Sequence, residues 1–143
     1  MRLWHKDLIS VLPRQQLLSQ WRECCGIARD IKVKGTPNHL LVNRVLDFPV
    51  DNFVQYTEMI INEFAKREYH INEKALTNFR VNIENGKYNF NNNRKCSLFI
   101  DWHNDIYLRE CLYNLEEKYI CGGIPDEEWQ RICARFPNYE LCS

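Results

Sequence analysis

Leu17, Trp21, Cys24, Cys25 and Ala28 recur three and four residues apart, and Pro13 stands where the first turn of a helix tolerates a proline. This spacing predicts a helix over residues 13 to about 30. At about 100° per residue, Gln15, Gln16, Ser19, Arg22 and Glu23 fall on the side opposite the apolar stripe, with Glu23 near the centre. GTPN at 35–38 breaks the chain. A second helix is expected from Pro49 to about Tyr69, with Phe53, Tyr56, Ile60 and Phe64 as its inward stripe. NIENGKYNFNNNRK, residues 82–95, is rich in Asn and holds an Asn-Gly pair, so it reads as turn and loop or a short hairpin. Leu108, Cys111, Leu112, Leu115 and Tyr119 mark a third helix from about Asp105, stopped by Gly122 and Gly123. PDEEWQRICARF, 125–136, supports one more, with acids in its first turn and Arg131 and Arg135 near its end, as the helix dipole favours. The expectation is an all-α single domain over 1–143, a bundle of three to four helices.

Leu3, Trp4, Leu8, Ile9, Val11 and Leu12 leave almost no free arm before the first helix, so the N-terminal segment is expected to pack. A packed terminus holds its α-amino group at a fixed point. That group has a reference pKa of about 7.7 to 8.0, against about 10.4 for lysine. Near pH 7.5 roughly a third of it is neutral and nucleophilic, whereas about a thousandth of an unperturbed lysine is. Glu23 has two readings, a solvated residue on a helix face or a carboxylate facing a cleft, and the helix pattern alone supports both.

Composition fits a helical globular chain, with 45% apolar residues, 27% charged residues, five Gly and five Pro. Nineteen basic and nineteen acidic residues cancel, so net charge implies no polyanion partner, but the charge is unevenly placed. Residues 1–44 hold eight Lys or Arg against three acids, and residues 101–143 hold four against nine. A basic first third suits phosphates. Seven cysteines without a C-x-x-C, and without a leader-like apolar run, suggest free thiols in a cytosolic protein. No run of apolar residues is long enough to span a membrane. A zinc site drawn from His103, Cys111, Cys121 and Cys133 matches no common ligand spacing, so neither metal nor cofactor is expected. His103 reads as a residue at a helix start or a phosphate contact, His5 as a packed residue placed to orient the terminal amine, and the four tryptophans as core. Phosphate loops, H-E-x-x-H and G-x-S-x-G are absent.

MRLWHKDLISVLPRQQLLSQWRECC at 1–25, VNRVLDF at 42–48, FAKREYHI at 64–71 and HNDIYLRECLYNLEEKY at 103–119 carry a resemblance. The most specific block is L-x-S-x-L-x-x-Q-x-L-x-x-x-x-R-E, from Leu8 to Glu23. The chain resembles the pyrimidine dimer DNA glycosylases of the phage endonuclease V type, and in particular their bacterial branch. The resemblance implies a compact helical domain whose N-terminal segment wedges between helices. It also implies an α-amine that attacks C1′ of the 5′ sugar at a cyclobutane pyrimidine dimer, releasing the base through an imine. A glutamate matching Glu23 would support this step and the β-elimination that nicks the strand. Arg2, Gln15 and Arg22 match family positions that hold DNA. The implied partner is damaged double-stranded DNA, bound by a monomer.

Three departures stand out. The phage enzyme loses its Met to expose a threonine amine, whereas this chain begins Met-Arg, which assigns the amine to Met1 and aligns Arg2 with the family arginine only across a one-residue deletion. A family arginine is Gly26 here, with Arg29 one turn along as a substitute, and a family histidine is Gln16. The aromatic, basic tail becomes FPNYELCS. Two other readings stay open: a helical DNA-binding module that keeps the scaffold without the chemistry, and the same amine mechanism acting on another lesion or on abasic sites.

Overall fold

The structure, a computed structural model, describes residues 1–86, 90–91 and 97–142. Among them the chain forms five α-helices: α1 (Arg14–Lys34), α2 (Val50–Lys66), α3 (Glu73–Asn85), α4 (Asp105–Ile120) and α5 (Asp126–Arg135). Short 3-10 segments lie at Lys6–Val11, Asn43–Asp47 and Pro137–Tyr139, and no strand occurs among the described residues. The all-helical expectation holds, with one helix more than the pattern gave.

That extra helix is α3. Its N-terminus is capped by Asn72, whose side chain accepts from the Ala75 amide at 3.0 Å. Its single buried side chain, Phe79, meets Trp21 of α1 at 6.1 Å and Phe53 of α2 at 5.7 Å between ring centroids. One aromatic anchor replaces a full apolar stripe, which is why periodicity missed it. Residues 82–85, expected as turn and loop or a short hairpin, are its last turn, while residues 87–89 and 92–95 of that expected segment lie outside the described residues. α1 also runs further than expected, because Ile31 continues the buried stripe and the break waits for Gly35. Gly35 has φ 77° and donates its amide to the Ile31 carbonyl at 2.8 Å, a left-handed cap that a side chain would strain.

α1 packs on α3 and α2, while the 3-10 segment Lys6–Val11 lies against α2 and α5. Leu3, Trp4, Leu8, Ile9 and Leu12 are all buried, so the N-terminal segment is part of the core and passes between α1, α2 and α4. Phe99 adopts φ 50°, an unfavourable region for a bulky residue. Its amide is held by the buried Asn52 side chain at 2.7 Å, and its ring sits within 5.9 Å of Phe48, Tyr56, Trp102 and His103. Packing and one buried hydrogen bond hold the backbone there.

Arg67 fastens the end of α2 to the N-terminal segment. Its guanidinium donates to the Leu12, Ile9 and Ser10 carbonyls at 2.8, 3.4 and 3.3 Å and pairs with the buried Glu63 at 3.3 Å. Arg67→Met removes these donors and leaves Glu63 without its cation. The expected loss is about 2–3 kcal/mol, read as a lower urea midpoint at unchanged slope. A midpoint equal to wild type would show that water satisfies these carbonyls instead.

Candidate active site

The N-terminal residues are tied down by backbone groups rather than by side chains alone. The Trp4 amide donates to Gln20 Oε1 at 2.7 Å, and the Tyr56 hydroxyl lies 2.6 Å from the Trp4 carbonyl. From α4, the Tyr107 hydroxyl donates to the Leu3 carbonyl at 2.5 Å. Gln20 Nε2 then reaches both the Arg2 carbonyl, at 3.1 Å, and Glu23 Oε2, at 3.0 Å. Residues 1–4 and Glu23 thus meet at one place through a single amide. Met1 itself is 53% exposed, so its amine stands at the mouth of this arrangement.

Glu23 is half-buried, so it is not a fully solvated residue of the helix face. The buried face of α1 also takes in Gln20, Ile27 and Ile31, so Glu23 stands at its border and not near the centre of the polar side where the apolar spacing puts it. Burial raises its pKa above the ordinary glutamate value, while the terminal ammonium, the Gln20 hydrogen bond and Arg22 each pull it back down. The ammonium is therefore close enough to act on the carboxylate as a charge. Arg2 is half-buried, with its guanidinium 5.6 Å from the Trp4 ring and 3.8 Å from Cys111 Sγ.

Gln15, Arg22 and Arg29 are seven residues apart, so they rise along one stripe of α1 at steps of about 10 Å with little rotation. All three are exposed. Arg22 donates to Ser19 Oγ at 3.2 Å, and it shares a groove of about 330 Å³ between α1 and α3 with Arg29, Gly26, Trp21, Asn78 and Asn82. A Cβ placed on Gly26 would lie 3.9 Å from an Arg29 guanidinium nitrogen. Arg29 therefore folds back over the glycine, toward the space that a side chain at 26 would occupy. Gln15 stands apart from this groove, beside the Gly122–Pro125 turn.

His103 requires a correction: it is buried, not a phosphate contact at a helix start. The cap of α4 is Asn104, and His103 Nδ1 accepts from the Lys6 amide at 2.9 Å. Burial, helped by His5, Lys6 and Arg44, pushes its pKa down to about 2, so it stays neutral. It stacks on His5, with centroids 5.1 Å apart, inside an aromatic cluster with Tyr107 and Trp102. His5 is packed as expected, its Nδ1 accepting from the Asp7 amide at 3.0 Å. The residue that sequence reasoning missed is Gln20. It lies on the apolar side of α1, and a lone glutamine there gives no signal until its partners are known. Among the described residues no three His, Cys, Asp or Glu side chains gather as metal ligands, and no helix is long and apolar enough to cross a membrane.

The first residues of the chain are thus held beside a half-buried carboxylate, with the exposed Arg22 and Arg29 on the same helix. The family model of pyrimidine dimer DNA glycosylases matches residues 1–77, just over half of the chain, and the protein belongs to that family. No curated protein and no solved structure matches it. The matched region spans the N-terminal segment, α1, α2 and the first turn of α3, which together supply Met1, Arg2, Glu23 and the arginine stripe. DNA is the substrate of that family, and removal of bases at pyrimidine dimers is its activity.

Because the folded protein holds the Glu23 proton more tightly than the unfolded chain does, its contribution to stability is present in acid. That contribution is lost as pH rises from the ordinary glutamate range near 4.5 through the raised folded value. Glu23→Gln keeps an oxygen for Gln20 and has no proton to lose. Its melting temperature relative to wild type is expected to rise between about pH 4 and pH 7.5. A difference independent of pH in differential scanning fluorimetry would mean that Glu23 titrates as an ordinary surface glutamate.

Proposed function

We propose that the protein is a DNA glycosylase with AP lyase activity, in which the α-amine of Met1 is the nucleophile and Glu23 the acid–base and electrostatic partner. The observation that carries this reading is the Gln20 bridge, which joins the Arg2 carbonyl to the Glu23 carboxylate and so keeps the first residue beside an ionisable group. An amine that displaces a base at C1′ forms an N–C1′ bond as the base leaves with a proton; breakage of C1′–O4′, with O4′ protonated, then gives the imine, and loss of the acidified C2′ proton expels the 3′ phosphate by β-elimination. Glu23, whose pKa burial raises, suits proton movement at the sugar and, when ionised, stabilises positive charge developing there. Arg22 and Arg29 would hold phosphates along the α1–α3 groove, Arg2 beside the amine, and Gln15 further along the same stripe. A dimer weakens stacking and pairing, which lowers the energy needed to distort the duplex around it.

Borohydride reduction tests the imine directly. On abasic or dimer-containing duplex the wild-type protein should become covalently linked, with the adduct on Met1, and an acetylated or tagged N-terminus should not. An adduct on a lysine such as Lys6, or native nicking by the tagged protein, overturns the amine assignment; absence of any adduct favours the binding-module reading. Glu23→Gln should bind DNA normally and lose strand cleavage by about 10²-fold or more.

Arg22→Ala and Arg2→Ala should each weaken DNA binding and lower the slope of log K against log salt by about one phosphate contact. The measurement is fluorescence anisotropy over a salt series on folded variants, since Arg2 also packs on Trp4. Unchanged slopes would move the DNA face away from this stripe.

A further inference from the structure

We propose that Gln20 is the positioning residue of this site, fixing the first residues of the chain and the Glu23 carboxylate relative to each other through one buried amide. The inference rests on the amine–carboxylate reading above. Gln20 is fully buried, and the chemistry of its neighbours fixes which way its amide points. The Trp4 backbone N–H must meet an oxygen, which assigns Oε1 to that side, 2.7 Å away. Nε2 then faces two acceptors, the Arg2 carbonyl and Glu23 Oε2, and has one hydrogen for each. The Tyr56 hydroxyl from α2, 2.9 Å from Oε1, closes the other side.

No other side chain at this position accepts from a backbone amide and donates to both a carbonyl and a carboxylate. An apolar residue would leave the Trp4 amide and the Arg2 carbonyl unpaired. A glutamate would keep the bonds from Trp4 and Tyr56 but put a second carboxyl against Glu23. Glutamine also has no proton to gain or lose, so it holds the same geometry across the pH range in which an α-amine and a raised glutamate change charge. The groups facing Glu23 are the terminal ammonium, Arg22 on its own helix, the Cys24 thiol and, from α2, the Tyr56 hydroxyl; Tyr107 and Cys111 of α4 face Arg2. A new carboxyl at position 20 would enter this set as the like charge nearest to Glu23.

The test is Gln20→Glu in the full chain, with two readouts. The Glu23 carboxyl, followed by carbon NMR, is expected to titrate about one pH unit or more higher than in wild type, because two adjacent carboxyls resist joint ionisation. The acid limb of the pH–rate profile for strand cleavage should move in the same direction, with kcat lowered and KM for DNA little changed. Gln20→Met, which removes the Nε2 donor without adding a charge, should raise the same titration by a smaller amount, and it decides the matter if Gln20→Glu does not fold. A Glu23 titration unmoved in the folded variant overturns the positioning role whatever the activity. Wild-type protein that forms no adduct on abasic DNA overturns the amine reading instead, while the carboxyl titration still reports on Gln20.

Discussion

Backbone amides and carbonyls buried between helices cannot be left unpaired, and residues 2 to 4 of this chain meet that constraint without forming a helix or strand. Their polar groups go to side chains of three helices: Gln20 of α1, Tyr56 of α2 and Tyr107 of α4. Each of these bonds spans at least sixteen residues of sequence, so the terminus is held only when the bundle has formed. Most chain ends fray because nothing repays their ordering entropy. Here Leu3 and Trp4 supply buried apolar area while the three polar side chains remove the desolvation penalty. Arg67 does the same at the far end of the segment, binding the carbonyls of residues 9, 10 and 12 from the last turn of α2.

This constraint explains why so much of the functional arrangement lies in α1. A helix offers positions three apart as neighbours on one side, so Gln20 and Glu23 can share a hydrogen bond while Gln20 turns inward to the terminus. The seven-residue spacing of Gln15, Arg22 and Arg29 places them on a different side, facing solvent. One element therefore carries core, bridge and basic stripe at three angles. Gly26 lowers helix propensity in the middle of it, by about 1 kcal/mol relative to alanine, yet it is the residue over which Arg29 folds. The loss in helix stability is offset by Trp21, Cys24, Ile27 and Ala28, all buried around it.

The helices with a full apolar stripe were legible in the sequence, because α1, α2, α4 and α5 each bury several large side chains at helical spacing. α3 was not, since it buries Phe79 alone and its Asn-rich end resembles a turn. The packed terminus was legible from Leu3, Trp4, Leu8 and Ile9. Glu23 could be singled out only with the resemblance beside it, as its place at the border of two faces looks the same on any amphipathic helix. Gln20 and the burial of His103 were invisible, because both depend on partners far along the chain. His103 follows Leu98, Phe99, Ile100 and Trp102, and the turn at Phe99, whose carbonyl accepts from the His103 amide at 2.7 Å, brings it inward against His5. Local pattern reports which residues are apolar, whereas a buried polar residue is recognisable only by the groups that satisfy it.

The separated charges of the sequence also gain a structural meaning. Part of the acidic C-terminal third is engaged in hydrogen bonds at the surface: Glu128 of α5 accepts from the Arg14 amide at the start of α1, Asp126 from the Tyr119 hydroxyl, and Glu116 from the Cys142 amide. Glu128 stands at the positive end of the α1 dipole, where a carboxylate is favoured, and Lys32 and Lys34 stand at the negative end. Glu128 thereby lies at the beginning of α1, while in the stretch that carries Arg22 and Arg29 the acids are local: Glu23 beside Arg22, and Asp30, paired with Arg29 at 3.7 Å. A protein of zero net charge can present a cationic stripe to a phosphate backbone when its acids are held by other parts of the fold. The field along that stripe reaches only about 8–10 Å at physiological ionic strength. If DNA lies along this groove, as proposed, binding depends on close contact there more than on long-range attraction.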